Sequence, residues 1–165
     1  MDRNKALDFL NNLQIEYDFR EHPAAVDKDS CAYVDEILPS TPCKNLFLTN
    51  RAQTEFYLLM MPRAKDFRTR YLKEQLGLSH LSFASEEHMI NMLDVKPGSV
   101  SVMCLLNEAA ANVHFILDED VIKGDTVRFH VGDNTATARL KKDDFLNVVI
   151  PALKHEPTYI NIVNE

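Results

Sequence analysis

The sequence is poor in the segments that mark several classes of protein. Its three cysteines, Cys31, Cys43 and Cys104, lie far apart without a CxxC pair, which is typical of reduced thiols and cannot make a structural zinc site alone. No apolar run approaches the ~18 residues of a membrane helix, and the first residues lack the apolar segment of a signal peptide. Repeats, low-complexity tracts and Gly/Ser linkers are also missing. We therefore expect one folded domain over residues 1–165, working in the cytoplasm.

Basic residues are too few for a protein that coats nucleic acid. There are 18 Lys and Arg against 25 Asp and Glu, a formal charge of −7. Extended phosphate binding needs a basic surface, so only a small contact with one end of an RNA is compatible with this charge. The local exception is the basic segment, defined here as Arg63, Lys65, Arg68, Arg70 and Lys73. It suits RNA phosphates, although a solvated helix face explains it about equally well.

The hydrophobic pattern predicts a mixed α/β domain with a largely antiparallel sheet. Helices are expected over 2–13, 30–38, 66–76, 85–93 and 145–153, and strands over 15–19, 46–48, 56–61, 100–106, 113–117, 126–129, 135–140 and 159–163. Strands 46–48 and 56–61 should form a hairpin, and strands 100–106 and 113–117 should pair. Ser30 is expected to cap the second helix, Gly77 to close the third, and Pro151 to bend or end the last.

Few residues stand out as candidates for chemistry. Lys44 opens an apolar strand, where its ammonium could contact phosphate, or simply reach solvent from a strand end. Gly98 lies in a Pro-Gly-Ser turn that could present free backbone groups to a ligand, or be only a turn. His130 and Asn134 flank a tight loop, and His130 could equally be a structural histidine. The histidines show no ligand spacing and no hydrolase motif occurs, while a Cys-His nucleophilic pair stays open.

Six short motifs, taken in order, carry a resemblance to a known family. They are Glu21-His22-Pro23, Lys44-Asn45-Leu46-Phe47-Leu48, Leu81-Ser82-Phe83-Ala84-Ser85, Pro97-Gly98-Ser99-Val100, Phe129-His130 and Asn134-Thr135-Ala136-Thr137. Together they resemble the YbaK/ProRS-associated editing domain family, and within it the freestanding prolyl-tRNA editing proteins of the PrdX/ProXp-ala type. The similarity spans nearly the whole chain.

The resemblance implies a compact α/β domain around a curved, mostly antiparallel sheet. It also implies hydrolysis of the ester that joins a wrong amino acid, typically alanine, to the tRNA for proline. By residue, it implies catalytic roles for Lys44 and Gly98 and substrate-binding roles for Asn45, Ser99, His130 and Asn134, with no metal or cofactor. The implied partner is the acceptor end of tRNA, with prolyl-tRNA synthetase or an elongation factor as a transient partner, and neither membrane nor DNA.

Two positions depart from the family pattern. The last proline of the family's Gly-x-x-x-Pro loop is Val102 here, and the proline that commonly follows the histidine is Val131. Three alternatives stay open beside alanine editing, the last of them disfavoured by the scattered cysteines and histidines. The same hydrolysis could act on cysteinyl-tRNA for proline or on another mischarged tRNA, the protein could sense an amino acid or aminoacyl-tRNA without catalysis, or it could be a zinc or thiol enzyme.

Overall fold

A computed structural model describes residues 1–163 of the chain. Its helices are α1 (Arg3–Asn12), α2 (Lys28–Ile37), α3 (Thr69–Leu76), α4 (Glu86–Leu93), α5 (Lys142–Asp144) and α6 (Ile150–Leu153). Its strands are β1 (Tyr17–Glu21), β2 (Cys43–Thr49), β3 (Phe56–Pro62), β4 (Ser82–Phe83), β5 (His114–Asp118), β6 (Thr126–Val131), β7 (Asp133–Lys141) and β8 (Thr158–Ile160). None of the helices in this described part is long and apolar enough to cross a membrane.

The strands form two sheets. One has the order β1-β7-β6 and is antiparallel throughout, and the other has the order β4-β2-β3-β5-β8. In the second sheet β2 pairs antiparallel with β3 and β4, whereas β5 lies parallel to both β3 and β8. The predicted α/β class with mainly antiparallel pairing is confirmed. So is the predicted β2–β3 hairpin, in which Cys43 lies opposite Pro62 and Thr49 opposite Phe56.

The five-stranded sheet is buried on both faces. Every residue of β3 is buried, and because alternate side chains of a strand point to opposite faces, Leu58 and Met60 join one apolar cluster while Leu59 and Met61 join another. The first cluster also contains residues of β6 and β7, so it packs the two sheets against each other. The second includes Leu72 of α3. The central strand therefore reads as one continuous apolar run in the sequence.

The hairpin between β6 and β7 is anchored on the first helix. Gly132 has φ +91° in the turn, and a Cβ there would lie only 2.8 Å from Arg3 Cβ of α1. The Arg3 guanidinium also donates to Thr135 Oγ1 at 2.6 Å and to Glu21 Oε1 at 3.0 Å. Only glycine combines that backbone conformation with so close an approach. The end of β6, where His130 lies, is held in place by this contact.

Three local predictions are wrong. Residues 100–106 form no strand, since Ser101 Oγ accepts a hydrogen bond from the Met103 backbone N–H at 3.2 Å and starts a buried 3₁₀ turn over Val102–Leu106. Asp27 rather than Ser30 caps α2, with Ser30 three residues on completing a capping box.

The last helical segment is the third case. A π-helical turn over Phe145–Val149 precedes Pro151, which lies in the first turn of α6, and the helix continues to Leu153. The backbone stays helical from Lys142 through the π-turn to Leu153, so Pro151 does not end the helix. The helix ends instead at Lys154, which has a positive φ of 58°.

Candidate active site

A cavity of about 230 Å³ opens where the two sheets meet. Its walls are Ala25, Cys31, Val34, Cys43, Lys44, Asn45, Arg63, Gly98, Val100, Arg128, Phe129, His130 and Thr137. Four of the six predicted catalytic and substrate-binding residues therefore share one cavity. Lys44 and Asn45 come from the five-stranded sheet, Gly98 from a loop and His130 from the three-stranded sheet. The volume lies below the ~300–1,000 Å³ typical of sites for drug-sized ligands, so it suits a small acyl group rather than a whole nucleotide.

Lys44 presents a cation without a counterion. Its Nζ donates to the backbone carbonyl of Lys65 at 2.5 Å, and no carboxylate among the described residues lies within ion-pairing distance of it. The residue is half-buried, and its antiparallel pairing with Met61 fixes the backbone from which the side chain reaches. The ammonium of a lysine in a partly closed cavity attracts an anion more strongly than the ammonium of an exposed lysine does.

Two arginines on the cavity wall share a single carboxylate. Arg63 makes two hydrogen bonds to Asp35 of α2, at 2.9 and 3.3 Å, and the buried Arg128 also pairs with Asp35 while donating to the carbonyls of Val34 and Leu38. Burial alone would raise the pKa of Asp35, but the hydrogen bonds and charges of the two guanidiniums outweigh it and lower the pKa. Together with Lys44, which has no ion pair among the described residues, the two arginines make three cations against the single carboxylate of Asp35, so the cavity is locally positive in an acidic protein.

His130 is held as a neutral imidazole. It lies opposite Thr137 in the β6–β7 ladder, and Ser101 Oγ donates to its backbone carbonyl at 2.7 Å. Burial lowers the pKa of His130 to about 4, assisted by the positive charge of Arg128 and by that of His22 when its ring is protonated, and only partly opposed by Asp133 and a hydrogen bond with the Ala136 backbone. At neutral pH the ring therefore offers one donor and one acceptor rather than a positive charge.

Asn45 carries an unsatisfied acceptor. Its Oδ1 is buried and has no hydrogen-bond partner among the described residues. Nearly all buried side-chain polar atoms are paired in folded proteins, so an orphan atom in a cavity wall calls for an explanation. An amide oxygen there can accept from an N–H donor of a ligand.

Gly98 takes a conformation that side chains rarely adopt, with φ +90°. A Cβ on it would lie 3.9 Å from Asn134 Nδ2, so backbone conformation rather than space accounts for the glycine. Asn134 itself does not line the cavity, and Ser99 lines a separate pocket beside Asp94. The substrate-binding roles of Ser99 and Asn134 stay predictions.

The departure at Val102 falls outside the cavity wall. Its side chain is fully buried in the core, at the start of the 3₁₀ turn. The residue that replaces the family's proline therefore belongs to the core and not to the surface that a ligand would touch. Val131 is also buried in the core and does not line the cavity.

The basic segment divides into two parts. Arg63 lines the cavity, and Lys65 is committed to ion pairs with the carboxylates of Asp118 at 2.9 Å and Asp120 at 2.8 Å. The remaining three residues belong to α3 and its start: Arg68 is exposed and 3.6 Å from an Asp66 oxygen, the Arg70 guanidinium lies 5.3 Å from the Tyr71 ring centroid, and Lys73 is in the last turn. Contact with RNA by the basic segment stays a prediction.

The cysteine nearest to Lys44 is a poor nucleophile. Burial raises the pKa of Cys43 to about 12, against the attraction of Arg128 and Arg63, and its Sγ donates to the Thr41 carbonyl at 3.2 Å. Because the thiolate is the reactive form, this thiol stays inert at neutral pH. Burial also raises the pKa of Cys104 to about 11, and Cys104 lies away from the cavity.

Sequence reasoning missed two parts of this site. Asp35 and Arg128 lie 93 positions apart, and neither was singled out. An arginine between two buried apolar residues of a strand, Val127 and Phe129, was the available signal, because a charged residue is almost never fully buried unless paired. Thr137 was quoted only as the end of a motif.

Residues 22–148 match the model of the aminoacyl-tRNA editing domain family, and the chain belongs to this family. The class is that of an aminoacyl-tRNA deacylase, an enzyme that hydrolyses the ester between an amino acid and tRNA. The predicted family, fold and enzyme class are confirmed.

Relatives and a solved structure agree with this class. The prolyl-tRNA editing protein ProX of Acetoanaerobium sticklandii is 29% identical over 140 residues, which cover 85% of each chain. Prolyl-tRNA synthetase associated domain-containing protein 1 of Mus musculus is 29% identical over 156 residues, covering 92% of this chain and 91% of that one. The crystal structure of a candidate trans-editing enzyme for prolyl-tRNA synthetase shares the fold, with a TM-score of 0.71, 14% identity and 96% coverage of both chains.

Proposed function

We propose that this protein is a trans-editing deacylase that hydrolyses the ester of tRNA for proline mischarged with alanine. The observation that carries the proposal is that one small cavity contains both a cation and an unpartnered hydrogen-bond acceptor. Lys44 offers an uncompensated cation and the adjacent Asn45 an unpartnered acceptor. The end of an aminoacyl-tRNA has the complementary pattern, with a phosphate on the nucleotide side and an ammonium on the amino acid.

In this mechanism the protein mainly positions a reactive ester. Lys44 holds the terminal phosphate or the ester oxygen, Asn45 Oδ1 accepts from the α-ammonium, and the Gly98 backbone orients water or the amino acid. The water oxygen bonds to the ester carbonyl carbon, the bond from that carbon to the ribose oxygen breaks, and the ribose oxygen takes up a proton, with the neighbouring ribose hydroxyl assisting. Good positioning can contribute roughly 7–11 kcal/mol to lowering such a barrier.

The composition of the cavity wall favours a substrate with a small apolar side chain. Ala25, Val34 and Val100 form an apolar part of the wall, and the total volume is about 230 Å³. The active site of a synthetase built for proline rejects the smaller alanine by only ~1–3 kcal/mol per methylene, so a second and smaller site is needed to remove the error. A methyl group fits that second site.

The tRNA contact is proposed to be local. One editing domain spans the chain and acts in the cytoplasm on the acceptor end of tRNA, with prolyl-tRNA synthetase or an elongation factor as a transient partner. Arg68, Arg70 and Lys73 supply a few phosphate contacts, because the acidic remainder of the surface repels a longer footprint.

The test is deacylation of a panel of charged tRNAs with catalytic amounts of protein. Alanyl-tRNA for proline should turn over many times, and correctly charged prolyl-tRNA should not. Faster hydrolysis of cysteinyl-tRNA for proline would replace alanine by cysteine as the substrate. Binding without turnover on every member of the panel would contradict the enzyme proposal and support the sensing alternative.

A further inference from the structure

We propose that His22 and Thr137 are positioning residues that fix the tautomer of His130, so that the His130 Nε2 lone pair serves the editing reaction as a hydrogen-bond acceptor. The inference rests on the proposed function for its role in hydrolysis. The tautomer itself is a property of the free protein. Neither His22 nor Thr137 was among the residues that the family resemblance assigned to the site.

The three side chains form a buried chain of polar contacts. His22, 8% exposed, follows β1 and has its Nδ1 2.9 Å from the Pro23 carbonyl oxygen and its Nε2 2.8 Å from Thr137 Oγ1. Thr137 is 2% exposed, and its Oγ1 lies 3.5 Å from His130 Nδ1. Thr137 and His130 line the cavity, whereas His22 stands behind them and does not.

Counting protons fixes the direction of this chain. A carbonyl oxygen can only accept, so when the His22 ring carries a single proton, that proton lies on Nδ1, facing Pro23. Nε2 of His22 is then an acceptor, and the single hydroxyl proton of Thr137 must point toward it. The Thr137 oxygen can then only accept from His130, so a hydrogen bond between these two side chains places the His130 proton on Nδ1 and leaves Nε2 without one.

The contact between Thr137 and His130 is the long one of the three. Hydrogen bonds at catalytic sites are often long before substrate binds and shorten in the complex, so a 3.5 Å separation is compatible with this role. The two ring centroids are 6.5 Å apart, which leaves room for a hydroxyl between them.

The result is an acceptor of fixed direction on a residue that lines the same cavity as Lys44 and Gly98. The lowered pKa of His130 makes it a weak base, so its Nε2 orients the attacking water or the ribose hydroxyl rather than removing a whole proton in advance. The opposite tautomer would present an N–H to the same atom and would misorient it. His22 and Thr137 thus act on the substrate only through His130.

The first test reads the tautomer without substrate. Nitrogen-15 NMR of the free protein should show His130 protonated at Nδ1, and Thr137→Val, which keeps the shape but removes the hydroxyl, should produce a mixture of tautomers. Thr137→Ser should keep the wild-type tautomer. A wild-type His130 protonated at Nε2, or no change in Thr137→Val, would overturn the proposal, whatever the activity of the protein.

The second test reads the reaction under single-turnover conditions. Thr137→Val should lower the maximal rate of alanyl-tRNA hydrolysis about tenfold, the value of one neutral hydrogen bond, with little change in the enzyme concentration that gives half of that rate and with recovery in Thr137→Ser. His22→Leu should behave like Thr137→Val, and His22→Gln, whose amide oxygen can still accept from Thr137, should recover most of the rate. Equal rates for Leu and Gln at position 22 would show that His22 acts only through packing. Inactivity of the wild type would refute the proposed function alone, because the NMR result stands independently.

Discussion

Removing the ammonium of Lys44 should abolish most of the activity and leave the fold intact. In the structure this group makes one hydrogen bond, to the Lys65 carbonyl, and no ion pair with any described residue. Losing one charged hydrogen bond costs about 1.5–3 kcal/mol of stability, which a domain with roughly 5–15 kcal/mol can lose and remain folded. Losing one preorganised group that stabilises charge in the transition state costs ~10²–10³ in rate, or about 3–4 kcal/mol.

The assay is single-turnover hydrolysis of alanyl-tRNA for proline by Lys44→Ala, with urea unfolding run in parallel. Lys5→Ala is the matched control, because Lys5 is exposed on α1. Lys44→Arg keeps the charge but spreads it over a planar guanidinium, so it should recover little of the rate if the contact is a compact point charge. Equal rates for wild type and Lys44→Ala, with both proteins folded, would refute the role given to Lys44.

Three further predictions follow from the cavity and the surface around it. Asn45→Ala should weaken hydrolysis of alanyl-tRNA roughly tenfold to a hundredfold, since it removes a hydrogen bond to a charged group, and should have little further effect on N-acetyl-alanyl-tRNA, which has no ammonium; an equal loss on both substrates would contradict the contact. Charge reversal at Arg68 and Arg70 should raise the Kd for tRNA without changing the rate at saturation, and an unchanged Kd would make the pair a solvated helix face. NMR titration should give His130 a pKa of about 4. Because the same histidine in the unfolded chain binds its proton near pH 6.5, its contribution should lower the free energy of unfolding by about 3 kcal/mol between pH 6.5 and pH 4. A His130 pKa near 6.5 in the folded protein would contradict the burial.

Local patterns predicted the elements whose causes are local. Gly77 ends α3 with φ +69°, as expected from helix-terminus preferences, and the helix predicted over 85–93 forms as α4, capped by Ser85 through the His88 backbone N–H. The run from Val100 to Leu106 was wrongly predicted as a strand because a buried 3₁₀ turn is as apolar as a buried strand. Short apolar runs have no periodicity that distinguishes the two.

The candidate site could be predicted only in part, for a similar reason. Lys44, Gly98 and His130 stand out by their place in short motifs. The ion pairs of Asp35 with Arg63 and Arg128, by contrast, form only when α2 packs against both sheets. The orphan Asn45 Oδ1 is likewise a property of the packed structure. Its residue type alone predicts a satisfied amide, as for most buried polar groups.

Because the cavity lies between two sheets, its width depends on how the sheets pack against each other. Lys44 and His130 belong to different sheets, so their separation is set by the shared core and not by hydrogen bonds of either sheet. Phe145, fully buried and 6.0 Å from the Phe129 ring centroid, belongs to that core although it does not line the cavity. Misplacement of reacting groups by about 1 Å can cost a hundredfold in rate. We therefore expect loosening of the core to slow hydrolysis while both sheets are still formed, so heat should inactivate this enzyme before its strands unfold.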